Sequence, residues 1–155
     1  MNSTGSVKSS GFTLTELVMI LVIVGVLAAV AIPKLADRSV FESRGFTDQV
    51  RSALQYAQKT AIAQRRNVCA DVTPSSLALT KAAASGAAVA CTLAVANPTT
   101  SSAFTLSAPG GVTLSSTSAN IVFDALGQSG STVTVSVQGD VTRQIVVEQV
   151  TGYVR

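Results

Sequence analysis

Gly11-Phe12-Thr13-Leu14-Thr15-Glu16, an apolar run from Leu17 to Ile32 and then Pro33 form the stretch on which the fold turns. Nothing charged interrupts the run. At ~1.5 Å per residue a helix from Phe12 to Ile32 is about 30 Å long, close to the hydrocarbon thickness of a bilayer. Glu16 is the one charge inside it. A carboxylate within a span costs about 2–3 kcal/mol at mid-depth. Such a residue is kept for a reason and has a partner.

Two ordinary readings exist. In one, the run is a plain transmembrane anchor and Glu16 sits at the interface. In the other it is a secretory signal peptide, with Lys8 as the basic region and Ala29-Val30-Ala31 as the cleavage site. The junction fits a third pattern better. A polar leader ends in Gly11, an aromatic residue follows, and Glu16 lies five positions after the glycine against the apolar run. This resembles the type IV prepilin (class III) signal. The resemblance implies that prepilin peptidase cuts between Gly11 and Phe12, removing residues 1–11. Phe12 then becomes a methylated N-terminus, and residues 12–33 stay as a transmembrane and filament-core helix. Glu16 would meet the Phe12 amine of a neighbouring subunit. A buried carboxylate facing a buried ammonium offsets part of both desolvation costs, and the helix dipole favours an acid in the first turn. Gly25 and Pro33 fall where such helices loosen on assembly; Pro33 removes a backbone hydrogen bond.

Residues 34–67 continue as an amphipathic helix. Phe46, Val50, Ala53, Leu54, Ala57 and Ala61 recur every three or four positions and form one apolar stripe. Arg44, Arg51, Gln55, Gln58, Lys59 and Arg65 lie mostly away from it. The helix is expected to end near Arg66 and Asn67, with Asn67 as the left-handed cap. The basic residues of this segment are either a solvated face or partners for inter-subunit ion pairs.

From Val68 short Val-, Leu- and Thr-rich segments alternate with Ser, Gly, Pro and Asn, the signature of strands and turns. Strands are expected at Val68–Thr73, Leu77–Lys81, Val89–Val95, Phe104–Leu106, Val112–Ser115, Ile121–Phe123, Thr132–Val137 and Gln144–Val147. Ala82 to Ala88 reads as a loop. The head, 68–155, is therefore an antiparallel β domain, and the whole an α+β chain.

Charge and cysteines narrow the function. The 155 residues carry a formal charge of +3, but the excess lies in the stalk. Beyond Asn67 the basic residues are Lys81, Arg143 and Arg155, against Asp71, Asp124, Asp140 and Glu148. That balance gives no broad field for nucleic acid. There is no histidine, so neither a Ser-His-Asp nor a Cys-His pair can form, no metal cluster of usual spacing can be built, and neither enzyme activity nor a cofactor is expected. Cys69 and Cys91 are the two cysteines. In an oxidising compartment they can close a loop of about 22 residues, worth about 3 kcal/mol; the alternative is a pair of buried thiols.

The end of the chain carries a second resemblance. Ile121-Val122-Phe123-Asp124-Ala125-Leu126-Gly127, then Gly130, the strand around Val133, Ile145-Val146-Val147 and Thr151-Gly152-Tyr153-Val154-Arg155 resemble the GspH/FimT family of minor pilins and pseudopilins. Ala125 stands where the family often has proline, and Tyr153 replaces the first arginine of a Gly-Arg-x-Arg ending. Together the two resemblances imply a type IV pilin fold and a minor pilin of a type IV pilus. It would be held in the inner membrane with a periplasmic head, and would incorporate into or prime a filament of major and minor pilins. A GspH-like pseudopilin of type II secretion is the alternative. The FimT side implies a further reading, a DNA-binding pilin for natural transformation, with weak contact to DNA through Arg143, Tyr153 and Arg155.

Overall fold

The computed structural model describes residues 11–35, 38–86 and 90–155. The leader 1–10, the junction at 36–37 and the expected strand start at Val89 lie outside them. The chain divides into two compact units, the first ending at Arg38 and the second spanning Ser39–Arg155.

In the first unit, α1 runs Leu14–Leu35 and passes through Gly25 and Pro33. Thr13 starts it. Its carbonyl accepts from Leu17 N–H and its Oγ1 accepts from Glu16 N–H at 3.3 Å. That is the N-cap half of a capping box, with the acid at the third helical position. Every large apolar side chain from Phe12 to Leu27 is exposed. Among the described residues no helix is long and apolar enough to cross a membrane.

The second unit is built on α2, Arg38–Gln64. All six stripe residues, from Phe46 to Ala61, are buried. Three of them are alanines. Eight strands follow: β1 Val68–Thr73, β2 Ser76–Ala82, β3 Cys91–Ala94, β4 Thr105–Ser107, β5 Thr113–Ser116, β6 Asn120–Phe123, β7 Val133–Gln138 and β8 Arg143–Val147. They form two antiparallel sheets. One has the order β3-β2-β1-β6, with β4 also on β2; the other has β5-β7-β8. Val133, Val135 and Val137 point inward and are buried, as the two-residue alternation of β7 requires. Phe123, Leu54, Leu77, Leu79 and Ile145 fill the core between helix and sheets.

The helix ends earlier than expected. Arg65, not Asn67, takes the left-handed conformation, with φ of 50°. Arg65 N–H donates to Ile62 O, and Arg66 N–H donates to Ala61 O, the two bonds of a Schellman stop. Asn67 is needed elsewhere: its carbonyl accepts from Ala82 N–H and so opens the β1–β2 ladder.

Candidate functional site

Three places gather the residues that the sequence singled out. The first is the start of α1. Gly11 and Phe12 precede Thr13, and Glu16 sits in the first turn, exposed, with Phe12, four residues before it, 74% exposed. Thr13 was not foreseen as a cap, although Thr-x-x-Glu is its recognisable signal.

The second is the sheet that carries the cysteines. Cys69 on β1 and Cys91 on β3 form a disulfide with Cα atoms 6.1 Å apart. β1 and β3 are not neighbours; β2 lies between them. The β2–β3 register shifts between Lys81 and Ala82, the residue paired with Cys91, and Ala82 is completely buried.

The third is the C-terminal segment. Val154 bridges Val147, Arg155 and Val146 exchange both backbone bonds, and Glu148 N–H donates to Tyr153 O. Residues 153–155 thus lie along the free edge of β8. Opposed residues share a face of a sheet, and neighbours along a strand alternate. Arg155 therefore stands with Val146 and Glu148 on the outer face, together with Tyr153. Arg143, two and four residues before buried Ile145 and Val147, stands on the inner face toward α2. The expected grouping of Arg143 with Tyr153 and Arg155 does not form. Arg155 is also engaged: its Nη2 lies 2.9 Å from Glu148 Oε1. Tyr153 is 60% exposed.

Beneath this segment lies a clasp that the sequence did not reveal. Gln58 Nε2 on α2 donates to Gly127 O at 3.1 Å and to Thr151 O at 2.8 Å. Gly127 and Gly152 both have positive φ. A Cβ on Gly152 would lie 1.9 Å from Gly127 O. The Gly127 turn is set by Asp124, whose Oδ1 accepts from Leu126 N–H and Gln128 N–H. Asp124 two residues before Leu126 is a legible Asx-turn signal. Gln58 had none, since its partners lie 69 and 93 residues away.

Among the described residues no group of His, Cys, Asp and Glu could hold a metal ion. The three places offer exposed apolar surface, a cross-link and backbone ties.

Comparison with known proteins agrees with that character. The family profile of the type II transport protein GspH matches residues 47–151. The type IV narrow pilus major component PilA5 of Thermus thermophilus is 31% identical over 61 residues. That stretch is 39% of this chain and 53% of the relative, so the chain spans about half the length of the curated relative it matches. Two solved structures share the fold. The type IV minor pilin FimU of Pseudomonas aeruginosa aligns with a TM-score of 0.53 at 16% identity, over 77% of this chain and 87% of its own. The minor pseudopilin EpsH of the Vibrio cholerae type 2 secretion system aligns with a TM-score of 0.57 at 10% identity, over 74% and 94%.

Proposed function

We propose a filament role from the premise that the chain belongs to the GspH family, whose members are pilin-like structural subunits and not enzymes. Within that class, the reading supported best is a minor pilin of a type IV pilus. It is processed between Gly11 and Phe12, held in the inner membrane by residues 12–33, and drawn into a filament with other pilins. One observation carries it. The large apolar side chains of Phe12 and of α1 from Leu14 to Leu27 are bare, far more contiguous apolar surface than a soluble monomer leaves in water. Lipid first and neighbouring helices later would cover that surface, and Glu16 at its start is the group that needs a cationic partner. The match to a type IV pilus component of Thermus thermophilus favours the pilus. The type II transport description of the family supports the pseudopilus as the second reading.

The test joins processing to assembly. Intact mass of the membrane-extracted protein should show a chain beginning at methylated Phe12. Glu16→Ala should stay in the membrane fraction and be depleted from sheared filaments. A mature start at Ile32, or normal incorporation of the Glu16→Ala protein, would remove this reading.

A further inference from the structure

We propose that the cleft between α2 and the start of β8 binds a dianionic phosphate group, either inorganic phosphate or a phosphomonoester. The proposal does not depend on which filament takes the chain. Arg44, Thr47, Asp48 and Arg51 from α2 and Arg143 and Gln144 from β8 line a cleft of about 450 Å³. Spacings of three and four place the helix residues on one face. Three guanidinium groups and one carboxylate give the lining residues a charge of +2.

Among the described residues the Nε atoms of Arg51 and Arg143, like that of Arg66 outside the cleft, are buried and have no hydrogen-bond partner. A buried donor left so is unfavourable. The Nε and Nη of an arginine form a fork that matches two oxygens of one oxyanion, so two such groups lining one cleft can hold a single anion. Thr47 cannot compete as a donor, since its hydroxyl already donates to Ser43 O at 2.7 Å. Arg44 is exposed at the rim.

Charge selects the class of anion. A phosphate monoester carries about −1.5 to −2 at pH 7 and balances the cleft. A carboxylate or a phosphodiester carries only one negative charge. Asp48, exposed and within one helical turn of both Arg44 and Arg51, opposes the anion and lowers its affinity.

The experiment titrates the full-length chain in detergent micelles by calorimetry, at pH 7 and constant ionic strength. The probes are sodium phosphate, methyl phosphate and acetate. We expect one saturable phosphate site per chain and no comparable acetate binding. Arg51→Gln and Arg143→Gln should each weaken phosphate binding about tenfold. Arg44→Gln changes only an exposed side chain and should weaken it several-fold, while Asp48→Asn should tighten it. Arg155→Gln, on the other sheet face, should leave it unchanged. Binding of methyl phosphate as well as phosphate supports an esterified group, and binding of inorganic phosphate alone supports the free ion. The proposal is overturned by an absence of saturation, by acetate binding as tightly as phosphate, or by unchanged affinity in both Arg44→Gln and Asp48→Asn.

Discussion

A single methyl group on Gly152 would occupy space already held by Gly127 O and by the Gln58 amide. Residue 152 also has φ of 60°, where an L side chain is strained. Gly152→Ala should therefore lower stability by about 3 kcal/mol, read as a reduced urea midpoint of the detergent-solubilised chain. Gly130→Ala is the control. Nothing lies within 4 Å of its new Cβ, and the change should stay within about 0.5 kcal/mol. Equal effects of the two would mean that the clasp contributes nothing. Gly127 and Gly152 were visible in the sequence as family letters, but their physical purpose was not. Gln58 reads as one more polar residue off the apolar stripe, and only the folded chain brings Gly127 and Thr151 to it.

Within α2 the apolar repeat carried real information. A side chain recurring every three or four positions on a helix can be buried only on one side, and all six such residues are buried. Where the helix stops was less legible. Arg65 gives no sign of a left-handed residue, and Asn67 is taken by the β1–β2 ladder. The Schellman stop thus holds a β-carbon where glycine is at ease. Arg65→Gly should stabilise the second unit by about 1 kcal/mol, seen as a higher denaturation midpoint. No gain would show that Arg65 makes compensating contacts. The strands were legible from composition to within one or two residues at most ends, because β-branched runs between turn residues can do little else. Strand order was not. Short strands of Val, Ser, Thr and Ala name no partner, so nothing local says that β6 lies beside β1 or that β4 shares β2 with β3.

At the scale of the whole molecule, class was legible and assignment of surface function was not. The Gly11–Pro33 stretch and the family-like ending both indicated a pilin-type α+β chain. The arginine grouping at the chain end failed because strand parity, which depends on register, sets Arg143 and Arg155 on opposite faces. With Arg155 paired to Glu148 and Arg143 on the opposite face, the chain end does not present the pair of cations that the expected DNA contact requires. In a gel-shift titration at low salt the full chain should retain DNA weakly, and Arg155→Ala should not change the shift. Tight binding that falls steeply with salt and is lost on changing Arg143 and Arg155 together would reverse that conclusion.

The disulfide that skips over β2 also bears on mechanics. Tension applied between α2 and the C-terminal segment passes from Cys69 directly to Cys91. The 22-residue separation, about 75 Å of chain at ~3.4 Å per residue when drawn out, is hidden from the load. Oxidised and reduced chains stretched by a force probe should differ in final contour by about that length. A subunit built this way can lose its sheets under strain and still extend less than its sequence allows.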